Sequence, residues 1–500
     1  MTDNSQSGTT HTLSDDRLIY LIVLCATWIW GHRLFESVWL DEALAYWTSS
    51  GSLYETVLRA FKYQGQSPLY YVILYFARLV AGNSEFGLRI PSVICTAASA
   101  IIVYRLGNLL LDRLSAISAT GIFITLEGST FAASNVRPYC LALLFSVASI
   151  YYLLLWLLKA KRRALLFYAL TYLLAFYSHY LYGAVGLIHI VIFLTFKPRP
   201  SLNALKVIVI LLAMAVLTSP GIYHLLYIHN RMNLLAVNGV ITTYQLMTSV
   251  IRPYTPIILL LAYLYTIVVT PGKLYLKKAV KTLFSRKLSW ILIWLLAPAP
   301  LLYLLSVLLS ASSLFKEQYT YWTEPAAALV MATLISQIAP EKTKRTLIAI
   351  FIITATLFDF SRSIRTENYR DAVKYLSTIP SVDRTPLLYY SALVESQNVD
   401  WLKNKSHHDY LSAPLYFYRY QDPLILLPLA PASPESREYW KDKIEPVISS
   451  HITLTVMGSD IISFNDVEIS NIFVNIFKQY GYKPVKIKHF GKVWVLRLKR

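Results

Sequence analysis

The chain has 500 residues, of which 55% are hydrophobic and 14% aromatic, and its formal net charge is +19 at pH 7. With a mean hydropathy of +0.46, this is the composition of a polytopic membrane protein and excludes an ordinary soluble domain. The excess of Lys and Arg would point to nucleic acid in a soluble chain but reads here as basic cytoplasmic loops, and Cys25, Cys95 and Cys140 all lie in apolar segments, so no disulfide framework or Cys–His metal spacing is implied.

Residues 1–17 are polar and carry Asp3, Asp15 and Asp16. They lack the basic start of a cleaved signal peptide, so the first apolar segment is expected to stay as a signal anchor behind a cytoplasmic N-terminal tail. Apolar segments follow at roughly 18–34, 90–110, 114–132, 139–158, 164–178, 181–196, 206–220, 255–271, 288–310, 324–339 and 346–360. Several are shorter than the ~20 residues that cross a ~30 Å hydrocarbon core, with Tyr and Trp able to extend their ends. Basic clusters at Lys159-Lys161-Arg162-Arg163, Lys197-Arg199-Lys206, Lys273-Lys277-Lys278-Lys281-Arg286-Lys287 and Lys342-Lys344-Arg345 occupy alternate loops. The positive-inside rule places them in the cytoplasm and gives about eleven transmembrane helices, an inside N-terminus and an outside C-terminus. Glu85, Arg89, Arg137, His179, residues 221–254 and Lys316 then fall outside, and Asp112 and Arg113 inside.

The stretch 68–82 is apolar but has only about 15 residues, fewer than a span needs, and contains Arg78. Counting it as a span would invert every later loop. It is expected to lie in the outer interface or to re-enter against protein. Residues 35–89 then form one long external loop of a membrane domain covering 18–360. Within it, Ser52-Leu53-Tyr54-Glu55 is a capping-box pattern. Residues 361–500 change character. Helical stretches near 367–379, 434–447 and 466–480 alternate with strand-like runs at Leu387–Tyr390, Leu424–Leu427, Ile452–Val456 and Val493–Leu496. This predicts an α/β soluble extracytoplasmic domain. It carries no Gly-rich phosphate loop, so binding or positioning suits it better than chemistry.

The paired acids Asp41 and Glu42, just past the first apolar segment, are the most informative feature. Adjacent helix positions point about 100° apart, so one can face a site while the other faces away. The plain alternative is an interfacial helix start, where acids are favoured. Arg137 sits at a span end beside Pro138, as an anion ligand or a snorkelling interfacial arginine. Glu85 and Arg89 have the spacing of a helical ion pair. His179 and Tyr180 can contact substrate or belong to an aromatic belt. Glu127 and the mid-span His189 read as bonded interior groups.

The order Trp39-Leu40-Asp41-Glu42, Ser67-Pro68-Leu69-Tyr70-Tyr71, Ser84-Glu85-Phe86-Gly87-Leu88-Arg89-Ile90-Pro91-Ser92, Arg137-Pro138-Tyr139 and Ser178-His179-Tyr180 resembles the GT-C glycosyltransferases. The branch is the bacterial one with lipid A 4-amino-arabinose transferases, core galacturonosyltransferases and protein O-mannosyltransferases. Asn368-Tyr369-Arg370-Asp371-Ala372 and Gly491-Lys492-Val493-Trp494 extend the resemblance through the soluble domain. Two departures stand out. Family members often show His-Pro-Pro-Leu-Tyr-Tyr where this chain has Gln66-Ser67-Pro68-Leu69-Tyr70-Tyr71. They often show Arg-Tyr where this chain has Phe315-Lys316-Glu317-Gln318-Tyr319, which makes Lys316 the nearest substitute for the arginine.

The resemblance implies a GT-C fold and an inverting transfer of a hexose or pentose, on the outer face of the plasma (inner) membrane. The donor would be a polyprenyl-phosphate sugar and the acceptor a lipid, glycan or protein. It implies Asp41 and Glu42 as the catalytic acids, with Asp41 as general base and Glu42 either the base instead or the residue that orients the acceptor or hydrogen-bonds the loop, and Arg137, Lys316 and Arg89 as donor-phosphate ligands. His179, Tyr180, Glu85, Tyr70 and Tyr319 become substrate contacts. No cofactor is implied, a divalent metal is compatible but not indicated by any ligand spacing, and no nucleic acid partner is expected. The alternative reading is a polytopic transporter or lipid flippase, for which the inverted repeats of such proteins are missing from the sequence.

Overall fold

The computed structural model describes residues 12–196, 204–234, 285–308, 317–338, 341–361, 366–380, 385–431, 433–460 and 468–500. The expected span at 255–271, the loop beyond residue 234, Lys316 and the basic residues Lys197, Arg199, Lys273, Lys277, Lys278 and Lys281 lie outside them.

The first part of the chain is helical: α1 (Thr12–Gly31), α2 (Leu40–Ser49), α3 (Leu53–Arg59), α4 (Leu69–Ala81), α5 (Glu85–Leu110), α6 (Arg113–Thr125), α7 (Glu127–Ser134), α8 (Tyr139–Lys159), α9 (Arg162–Ser178), α10 (Val185–Thr195), α11 (Ala204–Leu234), α12 (Arg286–Leu296), α13 (Pro298–Leu308), α14 (Glu324–Ile338) and α15 (Glu341–Ser361). Among the described residues, three stretches are each long and apolar enough to cross a membrane: Glu85–Leu110, Tyr139–Lys159 and Ile208–Ile228. Helix α4 has 13 residues, or ~20 Å, less than a hydrocarbon core of ~30 Å. The capping box at α3 is formed: Ser52 N–H donates to Glu55 Oε2 at 2.7 Å, and Glu55 N–H to Ser52 Oγ at 3.2 Å.

Helices α6 and α7 meet at a 60° bend. Leu126 between them is extended, with φ −70° and ψ 149°. A helix start leaves N–H groups without intrahelical partners, and at α7 they are answered from another helix. Glu324, the first residue of α14, accepts from Gly128 N–H at 2.6 Å, Ser129 N–H at 2.7 Å and the Ser129 hydroxyl at 2.9 Å. The bend delivers the turn Asn135-Val136-Arg137 that precedes α8.

The C-terminal part builds a five-stranded mixed sheet from β1 (Leu387–Tyr390), β2 (Leu424–Leu427), β3 (Thr453–Ser459), β4 (Lys483–Phe490) and β5 (Val493–Lys499), in the order β2-β1-β3-β5-β4. Strands β1, β2 and β3 run parallel, and β5 pairs antiparallel with β3 and β4. Helices α16 (Tyr369–Ser377), α17 (Ala413–Phe417) and α18 (Ile469–Lys478) pack with the sheet. Strand β4 is absent from the sequence-based reading. It is an exposed edge whose Lys483, Lys486 and Lys488 interrupt any apolar alternation, the composition that protects sheet edges from pairing. Gly491, in the turn to β5, has φ +66°, and a Cβ there would collide with the Thr366 carbonyl. The turn is thereby closed on the start of the domain, where Lys492 N–H donates to Thr366 O at 2.5 Å.

Helix α2 belongs to both halves. Val38, Leu40, Ala43, Leu44 and Trp47 lie in the same buried cluster as the sheet, at the spacing of one helical face. Leu40 N–H donates to Glu367 Oε2 at 3.1 Å, so the C-terminal sheet region closes the start of α2.

Replacing Glu324 by Ala should strand the Gly128 and Ser129 donors. At ~1–3 kcal/mol for each buried unsatisfied group, thermal unfolding in detergent should occur at clearly lower temperature. Glu324→Gln, which keeps an acceptor oxygen, should lose less. An unchanged unfolding temperature in Glu324→Ala would remove this contact from the support of α7.

Candidate active site

Asp41 and Glu42 open α2, where acids face the positive end of the helix dipole. The structure gives them opposite surroundings. Glu42 is completely buried and meets Arg89 of α5 in a two-point contact, with Nε donating to Oε1 at 3.0 Å and Nη2 to Oε2 at 2.7 Å. The same carboxylate accepts from Val136 N–H at 2.9 Å and Trp39 N–H at 3.4 Å. Burial pushes the Glu42 carboxyl upward, while Arg89 and the N–H donors pull it back.

Arg89 is equally buried. Nη1 donates to the carbonyls of Leu34 and Glu36, both at 2.8 Å, and of Arg33 at 3.2 Å; Nη2 also reaches Ser37 O at 3.3 Å. A guanidinium has five N–H donors, and every nitrogen here is engaged within the protein. The expectation that Arg89 binds phosphate is therefore corrected, and so is a helical pair of Glu85 with Arg89. Glu85 instead accepts from Arg370 Nε at 2.9 Å and from Tyr418 Oη at 3.1 Å. It ties α5 to the C-terminal sheet region rather than facing a substrate. The physical reason is direction: Arg89 points inward to α2, whereas Glu85 sits at the first turn of α5, against Arg370 and Tyr418 of the sheet region.

The turn Asn135-Val136-Arg137 is held at three points. Trp39 Nε1 donates to Asn135 Oδ1 at 2.9 Å, Ser92 Oγ to Asn135 O at 2.6 Å, and Val136 N–H to Glu42. This sets Arg137 Nη2 3.5 Å from Asp41 Oδ2. The Asp41 side chain keeps 33% of its surface, against 10% for Arg137. The Arg137 Nε is buried without a hydrogen-bond partner. Its guanidinium carbon stands 5.9 Å from the Tyr139 ring centre.

His179 also packs against Tyr139, with ring centres 5.4 Å apart. Tyr182 and Tyr319 complete the box around the imidazole at 5.3 and 5.2 Å. Both His179 ring nitrogens are buried and unpartnered. Burial, and then the Arg137 charge, push the imidazole down to about 3, so it is neutral near pH 7. Tyr182 Oη donates to Gln318 O at 3.0 Å and secures the turn that carries Tyr319.

Two expected contacts lie elsewhere. Tyr180 Oη shares a hydrogen bond with His224 Nδ1 at 2.9 Å, and Tyr70 is fully buried with Cys140, Ser92 and Glu42 about its hydroxyl rather than Asp41 or Arg137. Their neighbours take the places at the site. Tyr71 interacts electrostatically with both Asp41 and Arg137 and donates to Gln64 Oε1 at 3.2 Å. Helical geometry turns residues 70 and 71 about 100° apart, and nothing in a Tyr-Tyr pair says which one faces inward. Of the sequence candidates, Asp41, Arg137, His179 and Tyr319 come together; Tyr71, Tyr139 and Tyr182 join them. Tyr139 carried a signal, since it ends the Arg137-Pro138-Tyr139 motif. Among the described residues, no group of three or more His, Cys, Asp or Glu side chains could hold a metal.

Residues 65–224 match the sequence family described as dolichyl-phosphate-mannose-protein mannosyltransferase. No curated protein matches the chain by sequence search. Among solved structures, the fold is similar to ArnT from Cupriavidus metallidurans bound to undecaprenyl phosphate, with a TM-score of 0.55 at 13% identity over 96% of this chain and 97% of that one. The apo state of the same protein aligns at 0.54 and 10% identity over 97% and 98%. The oligosaccharyltransferase of Archaeoglobus fulgidus in the apo form aligns at 0.51 and 11% identity, over 91% of this chain and 70% of that one.

Removing one partner of a buried ion pair typically costs ~3–5 kcal/mol, whereas replacing both by uncharged groups is often close to neutral. Arg89→Met should therefore destabilise the protein by about that amount, and Arg89→Met with Glu42→Gln should recover a good part of it. Additive losses in this double-mutant cycle, read from thermal or denaturant unfolding, would show that the two side chains act independently.

Proposed function

We propose that this chain, a GT-C-fold membrane protein of the branch that holds ArnT and the protein mannosyltransferases, is an inverting glycosyltransferase. It moves a sugar from a polyprenyl-phosphate donor to a hydroxyl or amine of a lipid, glycan or protein acceptor. The observation that carries this reading is the pairing of a partly exposed carboxylate, Asp41, with a cradle of buried and unpartnered donors at Arg137 and His179. The undecaprenyl phosphate of the ArnT structure is the carrier lipid that a donor of the proposed class leaves behind after transfer.

In this mechanism Asp41 takes the proton from the acceptor as its oxygen or nitrogen attacks the anomeric carbon. The bond from that carbon to the phosphate oxygen breaks with its electron pair, leaving a phosphate monoester. Arg137 supports the growing charge on the phosphate. Glu42 is a positioning residue in this scheme: its carboxylate is fully used on Arg89 and backbone N–H groups, so it holds the base and the Arg137 turn in register. Active-site geometry of this kind matters because ~1 Å of misplacement can cost ~10²-fold in rate. Positive-inside charge puts the site and residues 361–500 on the extracytoplasmic face of the plasma (inner) membrane, with the N-terminus in the cytoplasm. A transporter would place its polar groups near the membrane midplane on interrupted helices, whereas these charges gather at helix ends.

Asp41→Asn should lower single-turnover transfer by at least ~10²-fold, the lower end of general-base contributions. Undecaprenyl-phosphate binding should persist, since the change removes a negative charge near Arg137. Near-normal transfer by folded Asp41→Asn would sink the role of Asp41. Efficient transfer from a nucleotide sugar without lipid would overturn the donor class.

For the orientation, a background lacking Cys25, Cys95 and Cys140 can receive single cysteines at the exposed positions Tyr54 and Ser449. Both should react with an impermeant thiol reagent on intact cells. Reaction only after permeabilisation would reverse the assignment.

A further inference from the structure

We infer that His179 takes up a proton when the lipid phosphate acquires its second negative charge, so that the site holds its product through an imidazolium and releases it with the loss of that proton. This rests on the glycosyl-transfer reading above and assigns to one residue of that site a role in holding and releasing product.

The geometry comes first. His179 is 4% exposed, and neither ring nitrogen has a hydrogen-bond partner. A neutral imidazole carries one donor and one acceptor. Leaving both unpaired in a protein interior is unfavourable, and a native structure that retains such a group calls for a reason. The groups facing the ring are the phenols Tyr139, Tyr182 and Tyr319 and the guanidinium of Arg137. Tyr182 is already committed to Gln318 O. Asp41 is paired with Arg137. Among the described residues no carboxylate is hydrogen-bonded to the ring, and burial and Arg137 keep the ring neutral.

The reaction changes that balance. The donor is a phosphate diester with a single negative charge. Breaking the sugar–oxygen bond leaves its electron pair on the phosphate, which becomes a monoester with a second pKa near ~6. At neutral pH the cradle then faces nearly two negative charges with one guanidinium. A proton from water, placed on His179, supplies the second positive charge and a second donor. The acceptor's proton leaves Asp41 for water, so the two events balance while product is bound. An opposite charge within a few ångströms favours the charged form of a group, which is the direction required to raise His179 from its low starting value.

The probe is undecaprenyl phosphate, titrated calorimetrically into the full chain in detergent between pH 6.5 and 8, in buffers of different ionisation heat. Wild-type protein should take up close to one proton per lipid bound, and affinity should fall with rising pH by up to about tenfold per unit. His179→Gln should show no such uptake. Its affinity should stay level or rise with pH as the dianion fraction grows, the opposite sign. The wild-type measurement stands without any variant. Binding with no proton uptake by wild-type protein, or equal uptake by folded His179→Gln, overturns the inference and leaves the transferase reading intact. Failure of undecaprenyl phosphate to bind wild-type protein overturns both.

Discussion

A carboxylate and a guanidinium that are both sealed from solvent hold this structure together at its functional end. Glu42 and Arg89 lie on different helices, yet each is fully buried. Burying two charges is unfavourable unless their geometry is good and their remaining hydrogen-bond positions are filled. Here they are filled from the surrounding backbone: carbonyls of residues 33, 34, 36 and 37 around Arg89, and N–H groups of Trp39 and Val136 on Glu42. The pair thus fastens the end of α1, the start of α2 and the turn before α8 to a single point on α5. If any of these segments moved, a buried charge would lose a partner. This dependence gives the pair its value for geometry, whatever its net contribution to stability.

The adjacent acids divide the labour as helix geometry requires. With Glu42 drawn inward to Arg89, Asp41 is turned to the open side, where it meets Arg137. Arg137 reaches that position because its own turn is tied to Glu42 through Val136. One carboxylate therefore sets the distance between the other carboxylate and its cationic neighbour. Beyond Arg137, the aromatic box of Tyr139, Tyr182 and Tyr319 keeps water away from His179. A dry environment strengthens every charge interaction in it, and it also makes an unpaired imidazole unable to hold a proton until an anion arrives.

The C-terminal sheet region is part of this arrangement. The apolar face of α2 is buried in its core, and Glu367 accepts from the first N–H of the helix. Burial holds the Glu367 carboxyl up at about 8. Ser37 and Val38, just before α2, bond to Tyr418, and Arg370 N–H donates to Ser37 Oγ. Arg370 also reaches Glu85 and the Phe35 carbonyl. The helix that carries Asp41 is clamped between two cores, so a change in the sheet domain is transmitted to Asp41 without crossing the membrane-embedded helices.

Local composition and periodicity are properties of a few neighbouring residues, and whatever depends on them was legible in the chain itself. The apolar segments, the basic clusters, the capping box at Ser52, the strand-like runs at residues 387–390, 424–427, 452–456 and 493–496 (the last two continuing to 459 and 499 in the structure), and the acid pair after the first apolar segment are of this kind. Strand β4 was not, because an edge strand made of lysines has no buried face to announce it. Roles at the site depend instead on partners distant in sequence. Arg89 meets Glu42 across 47 positions, and Val136 meets it across 94. A four-residue spacing offered Arg89 a nearer partner in Glu85, and a Tyr-Tyr pair offered two equivalent faces. Only the packing of α5 on α2 and the C-terminal sheet region decided between them, because a buried charge takes the partner that can also be desolvated with it, and that choice is made by the whole interior rather than by the neighbouring turn.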